Sequence, residues 1–158
     1  MSDILKQTTL CYLIKNDDIL MMHRNKKTND PNHGKWIGIG GHIEKDEHLY
    51  QAMKREVLEE TGLDVKTYHY HGVIFFESNQ YEHEVMHLFS SSDFSGNVIE
   101  NNEGTLSWVH MKDLLTLNLW EGDFLFLKLM LDGSPFFHLR LVYDKDTLVH
   151  HDVTFMDQ

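Results

Sequence analysis

Residues 41–63 read GHIEKDEHLYQAMKREVLEETGL, and this stretch holds the most informative pattern of the chain. From Asp46 to Thr61 the pattern is helical. Asp46 is the predicted N-cap, and Gly62 occupies the position of a left-handed C-cap glycine, so its predicted role is structural. The sequence therefore predicts a helix of about four turns.

Acidic residues of this helix lie where a helix normally buries apolar side chains. With a rotation of about 100° per residue, Glu56 and Glu60 fall on the same stripe as Ala52 and Met53. Glu59 follows Glu56 by three residues, so the three carboxylates can converge on one patch. Like charges in such a cluster repel each other unless a cation lies among them. A set of oxygen ligands alone indicates Mg²⁺, or else Mn²⁺, rather than zinc.

The spacing around Arg55 separates this pattern from an ordinary acidic helix. Arg55 precedes Glu59 by four residues, which is the spacing for a forked hydrogen bond to that carboxylate. Taken alone, EVLEE is better explained as a solvated helix end, because charged helices are common. However, Gly41, Glu47 and the run from Arg55 to Leu63 are separated by five and then seven residues. These identities would coincide by chance with a probability on the order of 10⁻⁷.

This spacing is that of the Nudix box, and the chain resembles the Nudix hydrolase family. The resemblance implies an α/β/α sandwich with a mixed β-sheet, in which the box forms a loop, a helix and a loop. It also implies divalent ions that activate water against a pyrophosphate linkage. Carried onto the matching positions, Glu59 and Arg55 are catalytic residues, and Arg55 with Glu47 supports the helix. The implied metal ligands are Glu56, Glu59, Glu60 and the Gly41 carbonyl.

A general base is still required, and Glu103 is the candidate. Glu103 precedes Trp108 by five residues, and the oxidised-purine triphosphatases of the Nudix family have a loop glutamate at this position. Glu100 is close enough along the chain to take its place. The alternative is that Glu103 is a solvated loop acid without a catalytic role.

Most of the chain outside the box is similar to the MutT-type and mammalian-type 8-oxo-dGTP hydrolases of that family. The similarity implies that Arg24 lies near the phosphates, that Trp120 walls the base and that Asp123 bonds to its edge. Trp120 as an ordinary core residue is the alternative, since aromatic walls occur in both. Two positions depart from the pattern: Ile37 replaces an asparagine, and Gly122 replaces the first of two aspartates. Both departures remove polar groups that would discriminate between bases.

The remaining elements predict one α/β domain over residues 1–158. Asn16-Asp17 separates two β-prone runs and predicts a hairpin, and Asp144-Lys145-Asp146 predicts another near the end. The predicted strands cover 7–15, 18–24, 36–42, 65–77, 81–91, 104–111, 136–143 and 148–155, and a second helix covers 120–133.

Composition narrows the range of partners. The formal net charge is −11, which argues against binding a nucleic-acid polymer, because such binding depends on Lys and Arg. A polyanionic small molecule such as a nucleotide requires metal ions to mask that charge. The single cysteine, Cys11, cannot form an internal disulfide, and the N-terminus lacks the apolar run of a signal peptide. The sequence therefore predicts a cytoplasmic protein with no membrane contact, as a monomer or a homodimer.

The resemblance implies Mg²⁺-dependent cleavage of a nucleoside triphosphate, such as the oxidised purine nucleotide 8-oxo-dGTP, to a monophosphate and pyrophosphate. Three other functions compete with this one. The first is hydrolysis of a nucleoside diphosphate derivative, such as a nucleotide sugar, a dinucleotide or a CoA compound, because fold and box do not fix the leaving group. The second is a non-catalytic nucleotide sensor, although such proteins usually lose box carboxylates and this chain keeps them. The third is an acidic interaction domain, which does not explain carboxylates on an apolar stripe.

Overall fold

The computed structural model describes residues 5–156. Within them, nine strands, two α-helices and one 3₁₀ helix follow each other along the chain. In chain order they are β1 (Lys6–Lys15), β2 (Asp18–His23), β3 (Trp36–Ile37), β4 (Ile39–His42), α1 (Leu49–Thr61), β5 (Leu63–Ser78), β6 (Glu84–Gly96), β7 (Thr105–His110), the 3₁₀ helix (Met111–Thr116), α2 (Glu121–Leu131), β8 (Phe137–Asp144) and β9 (Thr147–Phe155).

The strands form a mixed sheet, as the sequence predicts. Its order is β3-β2-β1-β6-β5-β8-β9, while β4 pairs with β1 and β7 pairs with β2. The pairs β1–β6 and β5–β8 are parallel, and the other pairs are antiparallel. Both predicted hairpins are confirmed, and each turn contains a residue with positive φ, Asn16 in the first and Lys145 in the second.

The two helices pack on opposite faces of the sheet. Cys11 and Leu13 of β1 belong to the core cluster that contains residues of α1, whereas Tyr12 between them belongs to the cluster that contains residues of α2. Because successive side chains of a strand point to opposite faces, this alternation puts one helix on each side. The predicted α/β/α sandwich is confirmed.

Helix α1 begins two residues later than predicted. His48, not Asp46, is the N-cap: its side chain accepts a hydrogen bond from the Tyr50 amide, and the Gln51 side chain accepts one from the His48 amide. This reciprocal pair is a capping box with histidine in place of the usual serine or threonine. Asp46 instead adopts a left-handed turn conformation with φ 66°. The prediction for the other end is confirmed, since Gly62 has φ 81° and its amide donates to Leu58.

Other boundaries also differ from the prediction. The 3₁₀ helix at Met111–Thr116 was not expected, because six residues at the end of a strand give too short a pattern for recognition. Helix α2 begins at Glu121 with Trp120 as its N-cap residue. Among residues 5–156, the helices are all too short or too polar to span a membrane.

Candidate functional site

A cavity of about 920 Å³ is lined by residues of both helices and of the β3–β4 segment. Its lining includes most of the residues that the sequence singles out. Predicted site residues on its wall are Arg24, Gly41, Glu56, Glu60, Glu103, Trp120 and Asp123.

Arg55 anchors the carboxylates of α1, although its fork has a different partner from the one predicted. Its Nε and Nη2 donate to Glu47 at 2.7 and 3.0 Å, so the forked pair joins Arg55 to Glu47. Glu59 receives one longer bond of 3.3 Å from Nη1, and Glu56 receives one of 2.8 Å. Nη2 also donates to the His42 carbonyl at 3.0 Å. The predicted fork to Glu59 was wrong because helical spacing alone cannot reveal a competing acid in the preceding loop.

The Arg55–Glu47 pair connects the loop before the helix to the helix itself. Hydrogen bonding from Arg55 holds the pKa of Glu47 below its usual range. The other oxygen contacts of Glu47 include the Glu44 amide, which donates to it at 3.0 Å. This partly buried ion pair therefore holds the loop before α1 in a fixed position against the helix.

We expect Arg55→Ala to lower kcat by about 10- to 100-fold, the usual cost of losing a group that orients metal-binding carboxylates. Three glutamates lose their shared donor in this variant. Arg55→Lys is the matched control, because it keeps the charge but cannot form the fork, and it should recover only part of the activity. Steady-state rates with a nucleoside triphosphate measure the effect. Wild-type turnover in Arg55→Ala would show that the carboxylates need no such anchor.

Gly41 forms a cradle around the Glu56 carboxylate. A Cβ atom built on Gly41 would lie 2.5 Å from the Glu56 carboxyl carbon and 2.6 Å from both of its oxygens. Any side chain at this position would therefore push Glu56 out of its place. The close approach brings the backbone of β4 and a carboxylate of α1 to one point on the cavity wall.

Glu60 is a buried carboxylate with an oxygen that lacks a partner. Its Oε2 makes no hydrogen bond within residues 5–156. Burial, followed by repulsion from Glu56 and Glu103, raises the pKa of Glu60 to about 8, while Arg24 and the Gly40 backbone oppose the shift. Such a group costs folding free energy unless something else compensates it.

The residues of this region fit a hard divalent cation. Glu56 and Glu60 offer carboxylate oxygens, the orphaned oxygen of Glu60 has no protein partner, and the cradle at Gly41 holds a carboxylate against backbone. Oxygen donors alone suit Mg²⁺ or Mn²⁺. Glu59 differs, because 59% of its side chain is exposed and it does not line the cavity. In the described part of the chain, no three His, Cys, Asp or Glu side chains are clustered tightly enough to form a ready-made metal site.

Glu103 lies on the cavity wall and faces Arg24. The Arg24 guanidinium lies 3.3 Å from Glu103, and its Nε donates to Asp30 at 2.6 Å. Lys27 lies 3.8 Å from Glu103. Glu100, the alternative base, is exposed and does not line the cavity. Asp30, which fixes Arg24 from the other side, was missed because it looked like an ordinary turn residue before Pro31.

Asn101 connects Glu103 to the end of α1 and was also missed. It is buried, its side-chain nitrogen donates to the Glu60 carbonyl at 2.9 Å, and its side-chain oxygen accepts from the Glu103 amide at 2.7 Å. Lys26 donates to the Asn101 carbonyl. Two glutamates that are 43 positions apart are thereby held by one amide. A single asparagine in a polar loop carries no sequence signal for such a role.

Trp120 contributes an aromatic wall to the cavity. Its indole N–H donates to Asn32 at 2.7 Å, and the rings of Tyr81 and Tyr143 meet it edge-on. Lys35 lies 5.0 Å above its ring. Trp120 is half-buried with one side on the cavity, so it is both packed and available to a ligand.

Asp123 lies in the first turn of α2 and lines the same cavity. Burial raises the pKa of Asp123 to about 8, and Lys35 acts in the opposite direction. This shift favours the neutral form of the carboxyl, which can both donate and accept a hydrogen bond.

One of the two departures from the base-reading pattern has a steric reason. A Cβ atom on Gly122 would lie 2.6 Å from Leu141 Cδ1 and 2.8 Å from the Tyr143 hydroxyl, so an aspartate here would require both side chains to shift. The Gly122 amide instead donates to the Tyr143 hydroxyl at 2.7 Å. Ile37 lines the cavity with an apolar side chain. Neither position supplies a polar side chain to a ligand.

The chain is similar to known proteins over most of its length. Residues 5–130 match the family model of the NUDIX domain. The chain is 34% identical over 119 residues to the oxidized purine nucleoside triphosphate hydrolase of Danio rerio, across 75% of this chain and 76% of that protein. It is 30% identical over 144 residues to the uncharacterized Nudix hydrolase YvcI of Bacillus subtilis, across 88% and 87%. The crystal structure of a MutT protein from Bacillus halodurans is similar with a TM-score of 0.85, at 23% identity, over 94% of this chain and 97% of that one.

Proposed function

The chain belongs to the Nudix hydrolase family, and from that premise we propose that it cleaves oxidised purine nucleoside triphosphates, such as 8-oxo-dGTP, into a monophosphate and pyrophosphate with Mg²⁺. One observation carries the proposal: a single cavity is lined by Glu56, Glu60 and Glu103 and also by Trp120 and Asp123. A nucleotide needs both sets of residues, because its phosphates require cations and its base requires a wall.

In this proposal Glu56, Glu60 and the Gly41 carbonyl hold the metal, and the exposed Glu59 side chain joins them by a change of rotamer. When bound, the cation neutralises phosphate oxygens and makes water more acidic. Mn²⁺ suits the same oxygen donors. The net charge of −11 gives the metal a second purpose, because without it the protein would repel a triphosphate.

The chain's own residues orient the phosphates and move the proton. Arg24, fixed between Asp30 and Glu103, presents a guanidinium to the phosphate oxygens. Glu103 accepts the proton of the attacking water, and Asn101 keeps it at a set distance from Glu60. Arg55 and Glu47 hold the helix that carries the metal ligands.

The base lies against Trp120, and Asp123 bonds to its edge. An aromatic wall with one hydrogen-bonding acid is typical of purine pockets. The name of the Danio rerio relative, an oxidized purine nucleoside triphosphate hydrolase, supports the choice of substrate. The proposal treats residues 1–158 as one domain that acts on a small nucleotide rather than a nucleic-acid polymer, as a monomer or a homodimer.

A hydrolysis panel tests the proposed function. Oxidised and normal nucleoside triphosphates, nucleotide sugars, dinucleotides and CoA are each incubated with Mg²⁺ or Mn²⁺ and with EDTA, and the products are separated. We expect the oxidised purine triphosphates to give the highest kcat/KM, pyrophosphate as the second product, and no turnover in EDTA. Cleavage of nucleoside diphosphate derivatives alone would replace the proposed substrate, and undiminished turnover in EDTA would exclude the metal.

A further inference from the structure

Tyr12 has a buried hydroxyl without a hydrogen-bond partner. Its side chain is 0% exposed, and no group within residues 5–156 completes a hydrogen bond to its oxygen. Buried hydroxyls are nearly always paired, since leaving one unpaired costs folding free energy. The orphaned hydroxyl therefore calls for an explanation beyond packing.

The hydroxyl end of Tyr12 lies near Asp123 on the cavity wall. Tyr12 is part of the cavity lining together with Gly38 and Asp123. A Cβ atom on Gly38 would lie 2.9 Å from Tyr12 Cζ, the carbon that bears the hydroxyl, so only glycine lets the phenol reach this wall. Burial raises the pKa of Tyr12, and the nearby Asp123 carboxyl raises it further, while the Gly38 backbone opposes the shift.

Tyr143 shows what a structural hydroxyl looks like in the same wall. Its oxygen accepts a 2.7 Å hydrogen bond from the Gly122 amide, so it satisfies a buried backbone donor. The Tyr12 hydroxyl faces the Gly38 backbone amide but completes no hydrogen bond of ordinary geometry with it. The two tyrosines lie on the same cavity with the same chemistry, but only one has a partner.

We propose that the Tyr12 hydroxyl is a specificity-determining group that, together with Asp123, hydrogen-bonds the edge of the bound base. This inference rests on the proposed function, because it assumes that a nucleotide occupies the cavity. It explains how the pocket tolerates Ile37 and Gly122, which offer no polar side chain. Tyr12 supplies from β1 the polar group that those positions lack.

Tyr12 and Asp123 together restrict which bases can bind. A phenol and a carboxyl can each donate and accept, so they match a purine that carries oxygen or nitrogen substituents on its edge. A purine without such substituents would leave both groups buried and unpaired. Binding of that purine is penalised, because sites built to bond a polar group reject analogues that lack it.

Tyr12→Phe tests the inference, because it removes one oxygen and keeps the ring. We expect KM for the preferred purine triphosphate to rise about 10- to 100-fold with little change in kcat. KM for purine riboside triphosphate, which has no edge substituents, should change by less than about 2-fold. The Tm of the ligand-free variant should equal or exceed that of the wild type, since an unpaired buried hydroxyl is removed.

Tyr143→Phe is the matched control for stability. It leaves the Gly122 amide without its acceptor, so its Tm should fall. If Tyr12→Phe instead lowers the Tm as much as Tyr143→Phe does and weakens all nucleotides equally, Tyr12 is structural and the inference is overturned.

Equilibrium binding separates this inference from the proposed function. The Kd values of guanosine, 8-oxoguanosine and purine riboside monophosphates are measured for the wild type and for Tyr12→Phe, and no cleavage is needed. A base preference that Tyr12→Phe abolishes supports the inference even if the panel finds no triphosphate hydrolysis. Equal binding of the three monophosphates by the wild type overturns it, whatever the enzyme cleaves.

Discussion

Glu60→Gln is expected to lower turnover by about 10³-fold or more while raising the Tm measured in EDTA. The two effects have one cause. Glu60 holds an unpartnered oxygen in a buried position next to Glu56 and Glu103, so its charge is costly without a cation and necessary for binding one. The amide of glutamine removes the repulsion but binds a divalent metal poorly.

The measurements for Glu60→Gln are kcat with Mg²⁺ and thermal unfolding with and without the metal. Wild type should gain Tm when Mg²⁺ is added, and the variant should gain much less. Asp113→Asn, at an exposed carboxylate of the 3₁₀ helix away from the cavity, is the matched control and should behave as wild type in both assays. A Glu60→Gln protein with full activity would remove the basis for the metal site.

Asp123→Ala is expected to lower kcat/KM for the oxidised purine triphosphate by about 10- to 10³-fold. A poor generic triphosphate should be cleaved almost as before, because Glu56, Glu60 and Glu103 are untouched. The ratio of the two kcat/KM values is therefore the informative quantity. If both fall together, Asp123 supports the fold instead of selecting the base.

The pH dependence of stability gives a second measurement on the same residue. Burial raises the pKa of Asp123 from 3.8 to about 8, so between these values the folded protein holds a proton that the unfolded chain has released. The folded state binds more protons there, and the contribution of Asp123 to stability falls as pH rises through this window. Asp123→Asn removes that dependence.

We therefore expect the Tm of wild type to fall relative to that of Asp123→Asn as pH rises from about 4 to about 8. The limiting slope for one proton is about 1.4 kcal/mol per pH unit. Unfolding curves of both proteins in EDTA across this range provide the comparison. Parallel curves would mean that Asp123 is ionised in the folded protein.

The sequence predicts the architecture well because the signals are local. The alternation of side chains in strands, the residues of the turns and the C-cap glycine Gly62 each depend only on nearby residues. The mixed sheet and the end of α1 could therefore be predicted. The start of α1 could not, because a histidine at position 48 performs a task that Ser, Thr, Asp and Asn usually perform. Asp46, a residue type common at N-caps, was predicted as the N-cap, but it lies in a turn.

The functional site was also predictable only where its residues lie close together in sequence. The carboxylates of α1 share one helix, and their spacing predicts that all three converge on one patch; Glu56 and Glu60 do line the cavity, but Glu59 is exposed and lies off its wall. Asp30, Asn101 and Tyr12 come from other parts of the chain, and their roles depend on contacts between distant segments. Arg55 shows the limit most directly: its spacing allows Glu59 as a partner, and only the folded loop reveals that Glu47 takes the fork.

The C-terminal hairpin of β8 and β9 lies beyond residues 5–130, the part of the chain that matches the NUDIX model. Even so, Leu141 and Tyr143 of β8 line the cavity beside Asp123, whereas Glu56, Glu60 and Glu103 all lie within the matched part. Under the proposed function, substitutions in β8 would change which base is accepted and leave the bond-cleaving residues as they are. Family membership would then predict the reaction better than the substrate.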